Sequence, residues 1–139
     1  VSFYFEDLSE GQSAEFTQVA SDEAVQAFAD LSGDHNPIHL DEAYARTTQF
    51  GGRIAHGMLS GAYISAALAS KLPGPGAVYL SQSIRFRRPV RVGESVTARV
   101  TVKALDAQRA HATLTTVCEV NGKVVVEGEA VVMVPRRPA

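Results

Sequence analysis

Cysteine is nearly missing from this chain, tryptophan is missing altogether, and no run of about 20 apolar residues occurs in its 139 residues. The single cysteine, Cys118, excludes an internal disulfide framework and a cysteine-rich zinc site. It suits a reducing compartment and is expected to be a buried small hydrophobe. The longest charge-free stretch, Gly57 to Ser70, is too short to cross a bilayer. Charge of one sign is also lacking. Thirteen basic against fifteen acidic residues leave a net charge of -2, which disfavours nucleic acid as the main partner, and no membrane partner is expected. The opening, VSFYFEDLSEGQ, has no basic leader and no long apolar run, so a cytoplasmic location is expected. It starts with Val rather than Met, so a trimmed N-terminus is expected. Repeats and low-complexity segments are absent, and only the tail from Pro135 to Ala139 reads as loose.

What remains is an ordinary globular balance, 45% hydrophobic and 20% charged residues. A chain of this length buries roughly two-thirds of its unfolded surface, so residues 1–139 are expected to form one domain with its own core. The first half punctuates as helices. Ser21, Asp22 and Glu23 favour a helix start, Val25, Phe28, Ala29 and Leu31 supply an apolar stripe, and Gly33 is a natural stop. Asp41-Glu42 opens a second helix through about Thr48. The third, GMLSGAYISAALASK from Gly57, carries apolar residues on every face and many small ones, so it is expected to be enclosed.

After Gly76 the pattern turns to strands: Val78 to Phe86, Ser95 to Ala104, Ala110 to Val120 and Lys123 to Val134. Asn121-Gly122 signals a type I′ hairpin between the last two. Helices followed by an antiparallel meander indicate an α+β fold, a curved sheet wrapped around the third helix. Such a sheet leaves edges that a second copy of the chain would cover.

The chemistry concentrates in Leu31-Ser32-Gly33-Asp34-His35-Asn36-Pro37-Ile38-His39. Asn36 before proline should be extended and Pro37 has a fixed φ, so the loop is stiff. An aspartate and a histidine brought together there can activate water and deliver a proton. The competing reading is turn chemistry, with Asp34 bonding loop amides and His39 satisfied at the surface. His56-Gly57 begins the enclosed helix, where free amides and the dipole can hold a developing oxyanion. The alternative is that Gly57 only packs closely under a strand. His35 reads as exposed, and His111 has no second ligand at metal-like spacing. Arg85, Arg87, Arg88 and Arg91 cluster around Pro89, where they either meet phosphates or protect a strand edge by charge. Tyr63 and Leu68, at helical spacing, fit core packing better than a ligand pocket.

The stretch FADLSGDHNPIHLDEAYA, Phe28 to Ala45, together with Ile54-Ala55-His56-Gly57-Met58, resembles the MaoC-like, R-specific enoyl-CoA hydratase family. The similarity continues through Phe86, Pro89-Val90 and Gly93-Glu94 and covers nearly the whole chain. It implies a hot-dog fold, a homodimer, and reversible hydration of trans-2-enoyl-CoA to (R)-3-hydroxyacyl-CoA. The acyl-CoA is then the substrate, and no metal or redox cofactor is expected. By the same resemblance Asp34 and His39 match the catalytic pair. Gly57 matches the glycine whose N–H binds the thioester carbonyl, and Ser65 matches a serine that supports activity in some members. Arg87 and Arg88 become candidates for the coenzyme A phosphates. Dehydration of acyl-carrier-protein substrates is the nearest alternative activity. A hot-dog thioesterase and a non-catalytic acyl-binding subunit follow, both disfavoured by the presence of Asp34 together with His39.

Overall fold

Ser21 and Gly33 bound the first helix as their side chains dictate. In the computed structural model, which describes residues 2–139, α1 spans Asp22–Ser32. The Ser21 hydroxyl accepts the Ala24 N–H at 3.1 Å, and Gly33 closes the helix with φ 82°. Val25 and Ala29 are buried, whereas Leu31 is 80% exposed, so the apolar stripe does not extend to it as expected. The second expected helix, from Asp41-Glu42 to about Thr48, is reduced to the single turn α3 (Glu42–Ala45), and an unexpected turn, α2 (Pro37–Leu40), precedes it. Pro37 suits the first position of α2, and Asp41 between the two is extended and caps α3 through the Tyr44 N–H at 3.1 Å. The third long segment forms α4, Gly57–Ser70.

One strand lies where only helices are expected. Ser13–Val19 forms β1, ahead of β2 (Val78–Phe86), β3 (Ser95–Asp106), β4 (His111–Val120) and β5 (Lys123–Met133). Its sequence, SAEFTQV, has only Ala14 and Phe16 to face the core, a weak alternation signal. Ser13 and Thr17 bond the hydroxyls of Thr101 and Thr97 across to β3, at 3.1 and 2.9 Å. The sheet has five strands in the order β1-β3-β4-β5-β2, all neighbours antiparallel. Asn121 and Gly122, at φ 51° and 77°, turn the chain from β4 into β5. That is the positive-φ pair a two-residue hairpin needs.

Burial alternates along β4, with Ala112, Leu114, Thr116, Cys118 and Val120 facing in. Helix α4 lies across β1, β3 and β4 and presents Leu59, Tyr63, Ile64, Ala67 and Leu68 to them. The architecture is therefore α+β, a curved antiparallel sheet on a central helix, which is the hot-dog arrangement. The enclosure of α4 is incomplete within one chain. Met58 is 56% exposed, Ala62 is open, and β2 runs beyond the helix with Val78, Tyr79, Leu80 and Phe86 uncovered.

The C-terminal tail is fastened rather than loose. Arg137 pairs with Asp7, its N–H donates to Glu6 Oε1 at 2.7 Å, and Arg136 lies 5.5 Å over the Phe5 ring. Among the described residues no helix is long and apolar enough to cross a membrane.

Candidate active site

The Asp34 loop is built from consecutive local hydrogen bonds. The Asp34 N–H donates to the Ser32 hydroxyl at 3.1 Å. The Asn36 N–H donates to Asp34 Oδ1, and the Ile38 N–H to Asn36 Oδ1, each at 3.2 Å. Part of the turn-chemistry reading of Asp34 is thus correct, and it leaves the second carboxylate oxygen free. His39 does not fit the surface reading, being only 8% exposed on α2. Its Nδ1 lies 2.8 Å from the Ile54 carbonyl, an oxygen that can only accept, so Nδ1 carries the hydrogen. The lone pair is then on Nε2. Burial holds the His39 pKa below its usual 6.5; the Ile54 carbonyl opposes this, the nearby His56 adds to it and Asp34 opposes it.

Arg53, which reads as a loop residue in the sequence, secures this arrangement. Its Nε donates to the His39 carbonyl at 2.7 Å and its Nη2 to Asp22 Oδ1 at 2.7 Å. Its own N–H reaches Glu42 Oε1 at 3.0 Å. Arg53 therefore ties α1 and α2 through its side chain and α3 through its backbone, and its guanidinium holds the Asp22 carboxyl below the usual carboxylate range. Nothing in a Gly-Gly-Arg loop signals this, because all three partners are distant in sequence.

Asp34, His39, Gly57, Arg87 and Arg88 line one cleft of about 450 Å³, together with Phe50, Ile54, Met58, Ser60 and Phe86. Gly57 is the first residue of α4, and among the described residues no oxygen accepts its N–H. A Cβ at Gly57 would lie 2.5 Å from the Phe86 ring, so the close-packing reading also holds for this glycine. Arg87 Nε is paired with Glu127 at 2.7 Å, whereas Arg88 donates to the Val124 carbonyl at 2.7 Å. Arg88 is thus the less compensated cation at the rim. Ser65 does not line this cleft. It lies eight residues along α4 from Gly57, about 12 Å at the helical rise, and Ser60 faces the cleft instead. His35 is exposed and bonds Asp30 at 3.2 Å.

Asp34, His39 and His56 each offer one side-chain atom within 4.8 Å of the others. Two such atoms can be bridged by one water through hydrogen bonds of about 2.8 Å. The His39 and His56 rings lie against each other, with centroids 3.9 Å apart and planes at 30°.

Comparison with known proteins agrees with the fold. Residues 7–131 match the family model described as MaoC like domain. The chain is similar to an (R)-specific enoyl-CoA hydratase of Rhodospirillum rubrum, 55% identical over 134 residues, 96% of this chain and 93% of that protein. The unliganded R-hydratase of Pseudomonas aeruginosa superimposes with a TM-score of 0.93 at 47% identity, covering 98% of this chain and 88% of that one. The (R)-hydratase of Aeromonas caviae involved in PHA biosynthesis gives 0.91 at 46% identity, with 94% and 99% covered.

Proposed function

Since this chain belongs to the MaoC-like domain family, we propose that it is a lyase catalysing reversible, (R)-specific hydration of trans-2-enoyl-CoA to (R)-3-hydroxyacyl-CoA. The observation that carries the reading is the meeting of Asp34, His39 and the free Gly57 amide in one cleft. A water between the Asp34 carboxylate and His39 Nε2 attacks the β-carbon of the enoyl thioester. Its oxygen bonds to that carbon as a proton passes to the pair. Electron density moves to the thioester oxygen, which the Gly57 N–H and the start of α4 stabilise more in the transition state than in the ground state. The pair then returns a proton to the α-carbon on the same face. The sum is one water added across one double bond.

Arg88, with Arg87, suits the phosphates of coenzyme A. Replacing Arg88 with Ala should raise KM and flatten its salt dependence with kcat little changed; an unaltered salt response assigns the arginine to the surface. The exposed faces of β2 and α4 support a homodimer that covers both. The lone buried thiol is in keeping with the cytoplasm, and the Aeromonas caviae relative with a role in supplying polyhydroxyalkanoate precursors.

Loss of enoyl absorbance with crotonyl-CoA and octenoyl-CoA, followed by chiral analysis of the product, tests the reaction. Release of free thiol would identify a thioesterase instead. Asp34→Asn and His39→Gln should each lower kcat by about a hundredfold or more while remaining folded. A well-folded variant within a few-fold of wild type removes that residue from the mechanism.

A further inference from the structure

We propose that His56 is a positioning residue for the hydration, holding the Asp34 loop and the His39 ring in place beside the Gly57 amide. The inference rests on the hydratase reading and extends it to a side chain that reading leaves without a role.

His56 is 2% exposed and immediately precedes Gly57, yet its side chain does not cap α4. Its bonds run elsewhere. Nε2 lies 3.0 Å from the backbone carbonyl of Asp34, and since a carbonyl only accepts, Nε2 carries the hydrogen. The ring lies against that of His39 at 3.9 Å, and the Phe28 ring is 4.8 Å away. One imidazole therefore touches the backbone of one member of the pair and the ring of the other. It is also joined through the chain to the oxyanion donor.

The unused nitrogen strengthens the inference. His56 Nδ1 is, among the described residues, the sole buried side-chain nitrogen or oxygen without a hydrogen-bond partner. A buried polar atom left unpaired is destabilising, and an aromatic hydrocarbon would fill the same space without that cost. The imidazole is useful here because it provides a donor at Nε2 and a flat face for His39 together. The hydrogen-bonded ring holds the pair to the small tolerance that proton transfer demands.

His56→Phe keeps a flat ring and loses the donor, whereas His56→Gln places an amide donor near the former Nε2 without the ring. With crotonyl-CoA, His56→Phe should lower kcat by about tenfold to a hundredfold with KM within about threefold of wild type. His56→Gln should recover part of that loss. In an Asp34→Asn background the His56→Phe change should cost less than about threefold more, because a residue acting through the pair has little left to position. Equal losses in both backgrounds, or a His56→Phe enzyme within about threefold of wild type, overturn the proposal. If His56→Phe does not fold, the comparison of His56→Gln alone and with Asp34→Asn decides by the same criterion. A near-normal Asp34→Asn enzyme overturns the hydratase assignment of Asp34 itself, and is read separately from the His56 result.

Discussion

His39 illustrates how much one hydrogen bond settles. With Nδ1–H held by the Ile54 carbonyl, only Nε2 can meet a water, and burial keeps the ring uncharged below the usual histidine range. The acid limb of kcat/KM should therefore fall below pH 6.5, where an unperturbed histidine would already be half protonated. A limb at or above 6.5 would contradict the assignment. Stability carries the same sign. Well above 6.5 the ring is neutral folded or unfolded. As pH falls further the unfolded chain takes up its proton first, so folding loses stability until folded His39 is protonated as well. Cys118 is the opposite kind of residue. Burial pushes its thiol up to about 12, and its Sγ lies 3.6 Å from the Ser60 carbonyl. Ellman's reagent should find no reactive thiol in the native protein and one after denaturation. Rapid native labelling would place the cysteine in a more open environment than the core.

At the scale of elements, the site is the junction between a hydrogen-bonded loop and the first turn of α4. The loop is held by Ser32, Asp34 and Asn36 from within and by Arg53 from outside. The helix start is held by Phe86 of β2, whose ring occupies the volume a Gly57 side chain would take. Gly57→Ala should consequently displace that ring and tilt the amide, lowering kcat by about tenfold or more. The melting temperature should fall much less, since Phe86 is 52% exposed and has room to turn. Parallel measurement of kcat and thermal unfolding checks this. A large loss of stability with normal turnover would make Gly57 a packing residue alone.

For the whole molecule, the helix covers only one side of the sheet. It crosses β1, β3 and β4, so β2 and the outward face of α4 leave an apolar groove of about 470 Å³ lined by Met58, Gly61, Ala62, Tyr79 and Leu80 among others. Exposed apolar surface of this kind beside an unpaired strand edge is where a second copy is expected. Leu80→Asp should shift the protein from dimer to monomer in light scattering and reduce activity, because β2 also carries Phe86 of the cleft. A wild-type chain that is a stable, fully active monomer would refute the dimer.

The sequence by itself determined the parts whose physics is local. Ser21 and Gly33 bound α1, Asn121-Gly122 forms the last hairpin, and the charge-free run from Gly57 forms the central helix. Caps, turns and periodicity depend on neighbours within a few residues, so they can be read without a fold. The Asp34, His39 and Gly57 positions came from the same local stretches, and from a motif specific enough to indicate a family. Tertiary structure decided the remainder. β1 exists because β3 offers it a partner, not because SAEFTQV is a strong strand, and the tail is fixed because Glu6 and Asp7 lie beneath it. Leu31 faces solvent because no element crosses above it, and Ser60 rather than Ser65 faces the cleft because of how α4 is rotated on the sheet. The tautomer of His39, the ties made by Arg53 and the contact of His56 with both members of the pair join residues 11 to 31 positions apart. Such contacts are set by how helices and loops pack on a sheet, and no residue involved carries a local signal of its partner.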